Sequence, residues 1–321
     1  MKVLFAGTYP TGTFEKIQKQ LGQEILEIET ATTQEELAQA HDVDAVVLRV
    51  LKMSKPVIDG FSDRLKLILR WGVGFDSVDI EAAGKRGIPV CNTPGANANA
   101  VSELTVLLML AIGRKLFCHQ LDVRAGKWSK NTYLNSSRTL NHKVVGIVGG
   151  GNIGRQVARK VQAFGASVLY YDVFRLKPDL EEAFQMKFVS LDELLQQSDV
   201  VSVHVPLLDS TKNIISAEKI AKMKQGAILI NAARGGLVDE KALVAAINAG
   251  KLAGAGIDCV AHEPLQSNDP LLSNPNILVT PHVAGGVGDI GDEIIPMLVA
   301  NMQHLKAGEA YEHVVNSQFL A

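Results

Sequence analysis

KVVGIVGGGNIGRQVARKVQAFGASVLYYD, residues 143–172, decides the fold. Residues 143–149 are almost continuously apolar, as a strand buried on both faces should be. The run ends in Gly149-Gly150-Gly151-Asn152-Ile153-Gly154, which sets Gly149, Gly151 and Gly154 on the G-x-G-x-x-G pattern. Helical spacing follows from Asn152 to Phe164, and residues 167–171 form a second β-rich run that closes on Asp172, eighteen residues past Gly154. Glycines in a loop are a weak signal alone. Strand, glycine turn, helix, strand and terminal carboxylate in that order are a strong one for a dinucleotide site. Gly149 permits the tight turn, Gly151 lets backbone approach a pyrophosphate, and Gly154 lets the helix pack on the sheet. The helix N-terminus then presents N–H groups and a partial positive charge to phosphate. Asp172 is placed to accept hydrogen bonds from ribose hydroxyls. A 2′-phosphate there meets a like charge, so the reading favours NAD over NADP, with nearby Arg175 read as a surface charge.

Outward from this unit, strand-like runs recur at 200–204, 227–231, 255–258 and 277–280. An earlier series lies at 2–7, 44–49 and 65–70, with helical character at 54–61 and 79–86. Strands alternating with helices imply βαβ units and parallel sheets. A chain of 321 residues is long for a single core, so two domains are expected. Residues 99–118 carry Val101, Leu104, Val106, Leu107, Leu108, Met109, Leu110 and Ile112, more apolar surface than one helix stripe needs. They are read as a buried interdomain helix, with a subunit interface as the sharper alternative. Residues 288–306 are again helical in pattern.

The formal net charge of -2 and 21% charged residues give no pull toward nucleic acid or an anionic membrane. Cys91, Cys118 and Cys259 have no metal-ligand spacing, and no metal is predicted. Such a sparse, odd count suggests a reducing compartment. The first apolar run is too short for a signal-peptide core, and residues 105–113 are too short to span a bilayer. A cytoplasmic protein is expected.

Three polar residues follow three consecutive strand runs. Arg234 follows 227–231, and its planar fork suits a carboxylate. Glu263 follows 255–258. His282 follows 277–280, and histidine is the residue type suited to give a proton to a carbonyl oxygen and take it back. Carboxyl ends of parallel strands open on the ligand crevice of an α/β sheet. A carboxylate beside the imidazole favours its protonated form and fixes its tautomer. His204 and His262 compete for the proton-transfer role. His204, before Pro206, is read as lining the cofactor cleft, and His262 adjoins Glu263 so their side chains should diverge. His41, His119, His142, His304 and His313 are read as structural or solvated.

These residues resemble the D-isomer-specific 2-hydroxyacid dehydrogenases, closest to the phosphoglycerate and glycerate dehydrogenase branch, over nearly the whole chain. Arg70-Trp71-Gly72-Val73-Gly74-Phe75-Asp76-Ser77-Val78-Asp79 is similar to that family's R-x-G-x-G-x-D loop. Asn92-Thr93-Pro94-Gly95 with 97–103, and Val203-His204-Val205-Pro206-Leu207, resemble two further stretches. The resemblance implies that Arg234 holds the substrate carboxylate and that His282 is the acid/base with Glu263 as its partner. It implies that Val73 and Gly74 offer N–H groups to substrate. The NAD site it implies is lined by Val73, Gly149, Gly151, Asn152, Ile153, Gly154, Asp172, His204, Val205, Pro206, Ala232, Ala233, Arg234, Asp258, His282, Ala284 and Gly285, with Asp258 near the carboxamide.

The implied architecture is two Rossmann-like parallel-sheet domains: an NAD-binding domain, 99–287, inserted into a flavodoxin-like substrate domain made of 1–98 and 288–321. The implied assembly is a homodimer joined through the nucleotide domain, acting on a small 2-oxo or 2-hydroxy acid. Val260 stands where the family usually has an aromatic, Gly150 for a usual aliphatic and Asn152 for a usual arginine. Ending at Ala321, the chain is expected to lack regulatory domains and control by serine. Rival readings are an NAD(H)-sensing corepressor-like binding protein and a formate or phosphite dehydrogenase. Substrate candidates are hydroxypyruvate, glyoxylate, 2-oxogluconate and phosphohydroxypyruvate, with loops 50–54 and 97–100 supplying pocket residues.

Overall fold

Strands in the computed structural model, which describes residues 1–22 and 26–320, fall into two all-parallel sheets. The chain divides into two units, Met1–Asn97 with Val287–Ala321, and Ala98–Gly286. Both are α/β, and the second is inserted in the sequence of the first.

The first unit holds β1 (Lys2–Ala6), β2 (Glu27–Ala31), β3 (Ala45–Leu48), β4 (Leu67–Arg70) and β5 (Val90–Cys91), in the order β2-β1-β3-β4-β5. That is the flavodoxin-like order. β3 is buried throughout, and Leu4, Val46, Leu48, Ile68 and Val90 form the core with Leu37, Ile58 and Phe61. β2 was missed in the sequence because it is an edge strand, EIETA, whose glutamates break the apolar run. The helix Gly291–Ala307 packs on the helix Thr13–Leu21. Buried Asn316 fixes the C-terminal segment: its Oδ1 accepts the Val90 N–H at 2.8 Å and its Nδ2 donates to the Ile88 carbonyl at 3.0 Å.

The second unit holds β6 (Val144–Val148), β7 (Ser167–Tyr171), β8 (Met186–Phe188), β9 (Val200–Val203), β10 (Ala227–Asn231), β11 (Leu252–Ile257) and β12 (Ile277–Val279), in the order β12-β11-β10-β9-β6-β7-β8. Strand order reverses between β6 and β9, the switch point where such sheets open a ligand crevice at their carboxyl ends. Strands β9 and β11 stop one residue before His204 and Asp258, so those polar groups sit just past the sheet.

The stretch 99–118 is not one helix. It forms Ala98–Gly113 and then Leu116–Arg124, broken at Lys115, whose φ is 53°. Lys115 adopts that conformation while its ammonium is drawn inward, donating to the Asn276 Oδ1 at 2.8 Å and the Ala253 carbonyl at 3.0 Å. Ala98–Gly113 packs on the helix Asn152–Ala163 and on β10 and β11, inside the second unit.

Candidate active site

At the end of β6 the backbone turns through Gly149 into the helix Asn152–Ala163, and no side chain caps that helix. A Cβ placed on Gly154 falls 2.1 Å from the Gly149 carbonyl oxygen, so the turn itself demands glycine there. A Cβ on Gly151 meets nothing within 4 Å. Folding does not require glycine at that position. An open cradle beside uncapped helix N–H groups fits a dinucleotide pyrophosphate.

Asp172 closes the other side. Its Oδ2 accepts the Gly150 N–H at 2.7 Å and its Oδ1 the Phe174 N–H at 3.1 Å. Arg175 is committed elsewhere, with its Nε and Nη2 on the two oxygens of Glu181 at 2.9 and 3.0 Å. The Arg175 guanidinium, helped by the Tyr170 hydroxyl, holds the Glu181 carboxyl down at about 2. Two departures from the family pattern have local causes. The Tyr170 ring lies 3.2 Å from where a Gly150 Cβ would be, so the tyrosine fills the space of an aliphatic side chain. Asn152 Oδ1 accepts from Arg155 Nη2 at 2.6 Å, which brings a guanidinium to the first turns of the same helix.

Past β10, buried Asn231 shapes the arginine turn. Its Nδ2 donates to the Arg234 carbonyl at 2.8 Å and its Oδ1 accepts the Ala233 N–H at 3.2 Å. Arg234 Nη1 donates to the Ala233 carbonyl at 2.8 Å. A Cβ on Gly235 falls 2.0 Å from the Val260 carbonyl oxygen, so glycine lets the arginine turn lie directly against the loop that carries Glu263. Val260 itself is buried in the core of the second unit.

Buried Asp258 organises the histidine loop. Its Oδ1 accepts from Thr280 Oγ1 at 2.6 Å and the Val283 N–H at 2.9 Å, and its Oδ2 accepts the Ala284 N–H at 3.0 Å. His282 takes a left-handed φ of 53° between these anchors. Its Nδ1 lies 3.1 Å from both oxygens of Glu263, with the two side chains 47% and 43% exposed. The pair is thus wet enough to meet a ligand and close enough for the carboxylate to fix the tautomer. Buried Cys259 stands beside it: one ligand atom from each of Cys259, Glu263 and His282 lies within 4.8 Å of the others.

His204 has a different character. Burial pushes its imidazole down to about 3, so it stays neutral, with Nε2 at 2.8 Å from Ser202 Oγ. His262 is exposed. Ala232 and Ala284 pack together with Val101, Leu104 and Ile153. Val205 is half-buried and Pro206 exposed at the end of β9. Val73 and Gly74 belong to the first unit. There their carbonyls accept from Asn92 Nδ2 at 2.8 Å and Arg70 Nε at 2.9 Å. Sequence reasoning missed Asn231 and Thr280 as positioning residues. An Asx turn was legible at Asn231, but nothing near Thr280 pointed to Asp258.

A family model for the NAD-binding domain of D-isomer-specific 2-hydroxyacid dehydrogenases matches residues 106–284. The chain belongs to that family. Among its relatives are a glyoxylate reductase of Thermofilum pendens, 39% identical over 291 residues that cover 89% of this chain and 85% of that one, and a hydroxypyruvate reductase of Thermotoga maritima, 39% identical over 79% of this chain and 83% of that one. A solved D-lactate dehydrogenase with NAD+ from Lactobacillus jensenii superposes with a TM-score of 0.82 at 30% identity, covering 98% of this chain and 99% of that one. This dehydrogenase is therefore an NAD-dependent oxidoreductase that interconverts small 2-oxo acids and D-2-hydroxy acids. No helix among its described residues is long and apolar enough to cross a membrane.

Proposed function

We propose that this dehydrogenase reduces 2-oxo acids of the size of glyoxylate or hydroxypyruvate, with Arg234 binding the carboxylate and His282, oriented by Glu263, as acid/base. The carrying observation is the 3.1 Å approach of His282 Nδ1 to both oxygens of Glu263. The names of the similar reductases support the substrate size.

NADH, when bound, supplies the hydride. Glu263 engages Nδ1, which leaves Nε2 as the nitrogen that protonates the developing alkoxide and takes the proton back in oxidation. Arg234 orients the substrate by its carboxylate, so its loss should fall mainly on binding. The cofactor is assigned to Gly149, Gly151, Asn152, Ile153, Gly154, Asp172, His204, Val205, Pro206, Ala232, Ala233, Arg234, Asp258, His282, Ala284 and Gly285. The committed state of Arg175 supports NAD over NADP. Val73, assigned to cofactor and substrate, and Gly74, assigned to substrate, are the first unit's candidates for N–H donation. Residues 99–287 are assigned to NAD, and 1–98 with 288–321 to substrate.

A homodimer is proposed through the second unit, where Leu116, Phe117, Leu121 and Trp128 are exposed together in and after the helix Leu116–Arg124, Trp128 at 82%. Patches of this kind mark association surfaces. A cytoplasmic location is proposed on the three free, buried thiols.

The test is a steady-state assay with NADH against a panel of 2-oxo acids. Glyoxylate and hydroxypyruvate should turn over best, and Arg234→Lys should lose about 10- to 150-fold in kcat/KM, the worth of one charged hydrogen bond. Turnover of formate or phosphite alone, or NADH binding without any turnover, would sink the reading.

A further inference from the structure

The catalytic pair has a third neighbour that the reaction does not use. Cys259 follows Asp258 in the chain and is 1% exposed, with its Sγ 3.5 Å from the Ala233 carbonyl oxygen and 4.0 Å from Asp258 Oδ2. Hydride transfer with a histidine acid needs no thiol there. A sulfur, an imidazole nitrogen and a carboxylate oxygen nevertheless converge within 4.8 Å of one another. This set of donors suits a borderline-soft, four-coordinate cation such as zinc, which takes sulfur, nitrogen and oxygen ligands together.

We propose that Cys259, Glu263 and His282 form a binding site for one soft divalent cation of the zinc class, and that its occupation shuts off the acid/base pair. The shut-off part rests on the assignment of His282 and Glu263 given above; the metal site itself does not. Donors on a tetrahedral zinc lie roughly 3.3–3.6 Å apart, from bond lengths of about 2.0–2.3 Å. The His282–Glu263 separation of 3.1 Å is a few tenths of an ångström short of that range, and the thiol, within 4.8 Å of both, closes in by about an ångström at most. Three protein ligands leave the fourth position to water, as in open zinc sites. Entry is from the side of the half-exposed Glu263 and His282.

The cation takes the place of the proton that His282 Nδ1 otherwise donates to Glu263, leaving the imidazole neutral with its one proton on Nε2, and the carboxylate turns from hydrogen-bond acceptor to ligand. His282 can no longer cycle a proton. Cys259 loses its thiol proton to solvent as its sulfur binds. Burial pushes that thiol up to about 12, Asp258 and Glu263 push in the same direction, and Arg234 opposes them. Proton release makes binding tighten as pH rises. Arg234 also repels an incoming cation, which keeps the site inhibitory and reversible rather than permanently filled.

The test uses the whole chain titrated with cadmium chloride, read by the sulfur-to-metal charge-transfer band in the ultraviolet, and with zinc chloride, read by NADH-dependent turnover. The wild type should give the band with a stoichiometry of one and lose turnover to zinc, with recovery on adding a chelator; magnesium should do neither. Cys259→Ala and Cys259→Ser should both keep basal turnover, lose the band and need at least about 10- to 100-fold more zinc for the same inhibition, a loss that even an outer-shell partner can cause. Two variants guard against a folding defect in either one. No band in the wild type, or a band and zinc sensitivity that persist in both variants, overturns the site. If His282→Ala retained turnover the acid/base assignment would fail, yet the cysteine-dependent cadmium band would stand.

Discussion

The Asp258 carbonyl accepts the His282 N–H at 2.8 Å, while the Asp258 carboxylate gathers Thr280 Oγ1, the Val283 N–H and the Ala284 N–H around the same loop. A buried carboxylate at the end of β11 therefore sets where the imidazole stands. Thr280→Val removes one hydrogen bond to a charged group, about 1.5–3 kcal/mol. Thermal unfolding should register that loss, and kcat should fall about tenfold or more with a nearly unchanged KM for NADH. Unaltered kcat and stability would mean the loop is held by other contacts.

Removing the imidazole tests the chemistry itself. His282→Ala should cost about 10²–10⁴ in kcat with folding intact. Glu263→Gln keeps the shape but replaces a carboxylate by an amide 3.1 Å from Nδ1, so kcat should fall while thermal stability hardly changes for a pair this exposed. Stopped-flow traces of NADH oxidation separate the two effects from product release.

Gly151 and Gly154 are expected to fail differently when replaced. A Cβ on Gly154 meets the Gly149 carbonyl oxygen at 2.1 Å, so Gly154→Ala should lower Tm. A Cβ on Gly151 meets no protein atom within 4 Å. Gly151→Ala should keep the wild-type Tm and lose NADH binding by fluorescence titration, because the methyl group would occupy the space proposed for the phosphate. Equal Tm losses in both variants would count against that division.

Glu181 links cofactor choice to pH. Arg175 and Tyr170 hold its carboxyl at about 2, against an ordinary 4.5. A depressed carboxyl adds stability that is fully present above the ordinary value and is lost as pH falls through the folded one. Glu181→Gln should therefore flatten the acid side of the Tm–pH curve between about 4.5 and 2. It also frees Arg175, so the ratio of NADPH to NADH turnover should rise. If that ratio stays fixed, Arg175 plays no part in excluding the 2′-phosphate.

Much of this was legible before any fold was known. The apolar runs of β6, β9 and β10 read as buried strands because strands covered on both faces have little room for polar residues. The glycine fingerprint and Asp172 were legible because local backbone geometry dictates them. Edge strands β2, β5 and β8 were not, since their short or charged segments carry no such pattern. The break at Lys115 was hidden too: a lysine in a left-handed turn follows from its ammonium reaching Asn276, which is 161 residues away.

Arg234, Glu263 and His282 could be picked out one by one, each following a strand run, and the sequence alone determined which functional groups stand there. Only the tertiary structure decided that Glu263 engages Nδ1, that Asp258 anchors the loop rather than standing alone, and that Cys259 joins the pair. The reason is physical. Strand periodicity and turn chemistry act over a few residues, whereas side chains nineteen and twenty-two positions apart meet only when parallel strands bring their carboxyl ends side by side.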